Sequence, residues 1–164
     1  MKSLFLTLLI STTLMFIPNT SLNTEKANFD EFIGDWTGKG TLFGSEANFK
    51  MSWKRTVDNK FIELNFENRF ITANDDQKLT AKAIYWFTDE ENLKGHWYDS
   101  RGVVFPLKAE FKNKTLTSLW GDSDSVEKGK TVYKLTDKGI TVQDYVWRNG
   151  EMSPFGASVY EKVN

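Results

Sequence analysis

Residues Glu46 to Lys54 read EANFKMSWK, and the stretch alternates without a break. Ala47, Phe49, Met51 and Trp53 are apolar, whereas Glu46, Asn48, Lys50, Ser52 and Lys54 are polar. Successive side chains leave an extended backbone on opposite sides, so period two predicts a strand with one face in a core and one in water.

The pattern continues outward from there. Ile62, Leu64, Phe66 and Phe70 share one face, with Glu63, Asn65, Glu67 and Arg69 on the other. Val103, Phe105, Leu107, Ala109 and Phe111 repeat it against Lys108, Glu110 and Lys112. Turn-forming clusters separate the runs: Gly44-Ser45, Asp58-Asn59, Asn74-Asp75-Asp76, Asp89 to Asn92, Asp99 to Gly102, Asn113-Lys114, Asp122 to Gly129, Asp137 to Gly139 and Asn149-Gly150. Such residues tolerate the positive φ of tight hairpins. Ten strands follow, at about 35–43, 46–57, 60–72, 78–88, 92–99, 103–112, 115–121, 129–136, 139–148 and 153–163, with ends good to about 2–4 residues. A short helical turn is expected at Asn28 to Ile33, ahead of the first strand.

The predicted fold class is therefore all-β, a single antiparallel up-and-down barrel. A flat meander of ten strands would leave two unpaired edges, which closure removes. The expected inward set is rich in rings: Phe49, Trp53, Phe66, Tyr85, Phe87, Trp97, Phe105 and Tyr133. A two-sheet sandwich is the structural alternative.

The chain has 164 residues and no cysteine. Lys2 precedes an apolar run from Leu4 to Ile17, closed by Pro18-Asn19. The run is shorter than the ~20 residues a membrane-spanning helix needs. It reads as a signal peptide over 1–21, with cleavage between 21 and 27, leaving 28–164 as the barrel domain. Export to a periplasmic or extracellular space is the expected localisation. Without disulfides the exported domain must rely on its apolar core. The net charge is −1, and −2 once excision removes Lys2. Nothing there offers a basic field for nucleic acid or a polybasic membrane patch.

Gly34 to Gly40 reads GDWTGKG on the first predicted strand. This G-x-W-x-G-x-G string resembles the calycin superfamily of lipocalins, fatty-acid-binding proteins and their relatives. The likeness is greatest to nitrobindin-type ten-stranded barrels and to a family of secreted bacterial lipocalin-like domains. It extends to Trp97–Gly102 (WYDSRG), Leu119-Trp120-Gly121 and the last strand. The resemblance implies that Gly34, Trp36, Gly38 and Gly40 close one end of the barrel. A tryptophan there can plug the opening while its indole N–H finds a partner, and the glycines let neighbouring backbone approach. Nitrobindin-type proteins bind haem through a histidine near the C-terminal end. Residues 153–163 read SPFGASVYEKV, without histidine, so haem is not carried over and no cofactor is expected.

His96 is the only histidine. With no cysteine, a zinc site lacks its usual ligands, and no metal is expected. If Trp97 points inward, His96 points outward. Asn68 and Asp144 each fall on the apolar side of a strand, between Phe66 and Phe70 and between Val142 and Val146. A buried acid must find a partner or take a raised pKa. The expected function is non-catalytic binding of a small hydrophobic or amphipathic molecule inside the barrel. The expected lining is Trp53, Phe66, Asn68, Tyr85, Trp97, Tyr133 and Asp144. Two alternatives stand beside it: a calycin-fold enzyme using Asp144, Tyr133 or Arg101 as acid–base groups, and a structural barrel with a solid core; haem, which Tyr160 or a methionine could ligate in principle, comes third. Asp99 to Gly102 reads chiefly as a turn. Pro106, lacking an N–H, is expected near an edge or bulge.

Overall fold

The structure, a computed structural model, describes residues 28–71 and 77–163. The expected signal peptide with its cleavage region, and the turn at Asn74-Asp75-Asp76, lie outside them.

A 3₁₀ turn over Phe29–Phe32 precedes ten strands. These are β1 (Gly34–Leu42), β2 (Ser45–Thr56), β3 (Phe61–Phe70), β4 (Lys78–Phe87), β5 (Asn92–Asp99), β6 (Val104–Lys112), β7 (Thr115–Trp120), β8 (Gly129–Thr136), β9 (Gly139–Arg148) and β10 (Glu151–Lys162). Each strand pairs antiparallel with its sequence neighbours, and β1 pairs with β10, so the sheet closes on itself. The sandwich alternative is thereby excluded. The alternation of the opening stretch is seen directly, with Ala47, Phe49, Met51 and Trp53 all buried.

Turn chemistry fixes the hairpins. Asn149 and Gly150 both have positive φ, 52° and 87°, the mirror-image turn that matches the twist of the flanking strands. Asn113 and Lys114 adopt the same sign, 51° and 59°. Pro106 sits in β6 opposite His96, where β6 runs past the end of β7 and Gly121 N–H donates to the Pro106 carbonyl. The register shift expected near a proline occurs instead in β10, between Pro154 and Gly156.

Closure depends on the glycines of β1. Gly38 stands opposite Tyr160 and Gly40 opposite Ser158. A Cβ at Gly38 would lie 2.7 Å from Tyr160 Cδ1 and 2.9 Å from the Val159 carbonyl oxygen. The bare backbone thus leaves room for the Tyr160 ring on the inner face of the seam, where an aromatic covers the surface a glycine leaves open.

One end of the barrel is plugged. The 3₁₀ turn puts Phe29 and Phe32, both fully buried, into that end. Their rings stack at 5.3 Å, and Phe29 meets Phe111 edge-on at 4.9 Å and Trp53 at 5.7 Å. Full burial of each ring is worth about 1.5–3 kcal/mol. Trp36 caps the plug: it is buried, and its indole N–H donates to the Phe32 carbonyl at 2.8 Å. Lys162 Nζ lies 5.2 Å above the indole on its outer side. The sequence string therefore acts as scaffold, and the deepest plugging groups come from the turn before it.

Candidate functional site

The opposite half of the barrel is hollow. Its cavity has a volume of about 570 Å³, within the usual range for small-molecule sites. The solid-core alternative does not describe this interior.

Three layers build the cavity. At the floor lie Tyr85 of β4, Ser118 of β7, Tyr133 of β8, Val142 of β9 and Tyr160 of β10. The Tyr85 hydroxyl and Ser118 Oγ share a hydrogen bond of 3.1 Å. Burial pushes the Tyr85 pKa up to about 12 and the Tyr133 pKa well above its ordinary value, with Tyr85, Asp144 and Tyr160 adding to the latter. All the floor tyrosines thus stay neutral.

The middle layer is a ring of aromatics broken by two polar groups. Phe66 and Trp97 lie 5.8 Å apart, and Phe105 and Trp120 5.4 Å apart. Asn68 on β3 and Asp144 on β9 stand on nearly opposite walls. Thr131 Oγ1 donates to Asp144 Oδ1 at 2.7 Å. Burial raises the Asp144 pKa to about 6, and the Thr131 hydrogen bond only partly offsets it. Asp144 is only partly covered and borders the cavity. Asn68 is 1% exposed, and among the described residues neither its amide oxygen nor its nitrogen has a hydrogen-bond partner. Leaving such a group unpaired costs about 1–3 kcal/mol.

The mouth carries the charges. Phe43 and Phe155 stack at 4.8 Å on one side. Arg101 binds Asp99 at 2.7 Å and reaches Glu127 at 3.8 Å. Burial alone would raise the Asp99 pKa, but hydrogen bonds from Arg101 and from the Trp97 indole hold it below its ordinary value. Residues 99–102 are therefore both a turn, closed by Gly102 N–H on the Asp99 carbonyl at 2.9 Å, and an ion pair that fixes one lip of the mouth. Lys78 of β4 also borders the mouth, 3.7 Å from Glu67.

Of the residues named from sequence, Phe66, Asn68, Tyr85, Trp97, Tyr133 and Asp144 all border this cavity, and so does Arg101. Trp53 does not. It lies beneath the floor, 5.4 Å from Tyr133 and 6.0 Å from Tyr85, and belongs to the plug. Alternation gives the face of a strand but not the depth along the barrel axis, and Trp53 sits too near the plugged end. Gly34, Trp36, Gly38 and Gly40 lie on β1 below or beside the cavity and are absent from its lining. His96 is exposed on the outer wall, between Trp86 and Tyr98. Ser118, Thr131, Trp120 and Phe155 line the cavity as well, although none belongs to the expected lining. For Ser118 and Thr131 the signal was present, since each occupies an inward position of its strand beside Leu116 and Tyr133.

The chain matches no model of a known protein family, and no curated protein is detectably similar to it.

Proposed function

We propose that this protein is an exported, calycin-type barrel that holds a small, partly apolar molecule in its open half without transforming it. One observation carries the reading: the chain packs one end of its barrel solid with Phe29, Phe32, Trp53 and Phe111, yet keeps a hollow of about 570 Å³ behind an open mouth. An unfilled space forfeits the packing contacts its lining would otherwise make, so a barrel shaped by stability alone would fill both ends alike. Phe66, Trp97, Phe105 and Trp120 supply the apolar walls, and Tyr133 and Asp144 the polar points that orient a guest. A guest burying ~250 Å² of apolar surface gains about 6 kcal/mol before the costs of association.

Titration with the uncharged fluorophore N-phenylnaphthylamine tests this. Saturable binding is expected, and Val142→Phe, which drives a ring up from the floor, should abolish it while the circular dichroism spectrum stays that of the parent. No saturable binding to the parent, or equal binding to the variant, would refute the reading.

A carboxyl held near neutrality beside a tyrosine favours a second reading, an enzyme in which Asp144 moves a proton and Tyr133 is its partner. Arg101 drops out of that scheme, because its guanidinium is engaged by Asp99 at the mouth. Turnover of any bound compound, lost in Asp144→Asn while binding persists, would select this reading over simple carriage.

A further inference from the structure

The interior charges do not balance. Asp144 lies within the barrel, and among the described residues no lysine or arginine reaches it within ion-pair distance. Its Oδ1 accepts the Thr131 hydroxyl; its Oδ2 accepts no hydrogen bond from a described residue. Gly156 leaves that second oxygen uncovered, since a Cβ there would stand 3.0 Å from Oδ2. The two cations bordering the cavity, Arg101 and Lys78, are at the mouth and already face Asp99 and Glu67. A carboxylate-bearing guest would therefore find no counter-ion at depth, whereas a cationic one would.

The surroundings of Asp144 also suit a cation. Thr131 faces it from β8 and Gly156 from β10, while Tyr133 and Ser158 stand opposite Val142 and Tyr160 opposite Ile140, one and two inward positions further towards the floor, where Tyr85 and Ser118 also lie. Their hydroxyl oxygens and ring faces both attract an ammonium group. Glu127 at the mouth adds a carboxylate on the way in.

From this geometry we infer that the cavity selects an amine: an apolar body against Phe66, Trp97, Phe105 and Trp120, with its ammonium group seated on Asp144 Oδ2 above the tyrosine floor. The inference rests on the binding reading above and names the class of guest. The burial that raises the Asp144 pKa supports it, because an ionised carboxylate in such surroundings gains most from an incoming positive charge.

Three probes of one chain length separate the outcomes: decylamine, decanol and decanoate, each titrated calorimetrically below its aggregation threshold at about pH 8. Decylamine should bind about 10-fold or more tightly than decanol, the scale of a charge-assisted hydrogen bond, with decanoate weakest. Asp144→Asn should bring decylamine to within about 2-fold of decanol, so that the preference for the amine is lost. The parent at about pH 4.5 should lose the same preference, because Asp144 is then protonated; this arm needs no variant to fold. Equal binding of amine and alcohol to the parent, or a preference for decanoate, overturns the amine inference while leaving apolar binding intact. Failure of all three probes to bind removes the binding reading itself, and the inference with it.

Discussion

Asp144→Asn should stabilise the protein above about pH 6 and do nothing below about pH 4. In the unfolded chain the carboxyl loses its proton near 3.8; in the fold, burial holds the proton until about 6. Between those values the native state binds more protons than the unfolded one, so stability falls as pH rises through the window and stays at the lower level above it. At 1.36 kcal/mol per pH unit the loss is at most about 3 kcal/mol, and solvent entering by the open mouth reduces it. Asparagine removes the ionisation and still accepts the Thr131 hydroxyl. Urea unfolding of parent and variant, followed by tryptophan fluorescence, should therefore show the variant ahead by about 1–3 kcal/mol at about pH 8 and level at about pH 4. The corresponding rise in Tm at the higher pH is on the order of 3–10 °C for a domain of this size. An advantage of equal size at both pH values, or a variant less stable than the parent at about pH 8, would refute the reasoning. The first would assign the gain to packing rather than charge. The second would mean that Asp144 already has a counter-ion in the folded protein.

Gly38→Ala puts a methyl group 2.7 Å from the Tyr160 ring at the closing seam and should cost about 1–3 kcal/mol in chemical denaturation. Asn68→Leu removes an unpaired buried amide and should raise stability by about 1–2 kcal/mol, while weakening any guest that uses the amide; a loss of stability would show that the amide is paired in solution. Glu63, on the outer wall, shows the opposite sign to Asp144. Burial alone would raise its pKa, but hydrogen bonds from Lys54, Asn65 and Lys82 outweigh that and hold it at about 2. Its contribution is present at neutral pH and is lost as pH falls from about 4.5 towards 2. Glu63→Gln should therefore cost about 1 kcal/mol near pH 7 and progressively less below pH 4, measured by denaturant midpoint against pH.

Strands and their order were legible because alternation is a local signal, and every strand here is bounded by residues suited to a hairpin. Glu46 to Lys54 alone carries the inner face of β2. Closure was legible from the number of hairpins together with Gly38 and Gly40, which make sense only where another strand must come close. Depth was not legible. Trp53 and Phe66 are both inward aromatics in sequence, yet one is buried under the floor and the other lines the cavity. What separates them is the position of the plug, and that depends on Phe29 and Phe32 in a four-residue turn, too short to show any period. Nor could alternation show that, among the described residues, Asn68 would lack a partner and Asp144 a cation. Both are properties of the space between strands distant in sequence.

If the barrel carries a guest, the guest enters its open half and nowhere else. The six tryptophans report on it separately in an amide and indole NMR titration with decylamine. Trp97 and Trp120 line the cavity, Trp36 and Trp53 lie in or beside the plug, and Trp86 and Trp147 face outward. The indole signals of Trp97 and Trp120 should shift and saturate together, with those of Trp36, Trp86 and Trp147 unmoved. Shifts confined to Trp86 or Trp147, or no saturable shift at Trp97 and Trp120, would contradict entry by the open half.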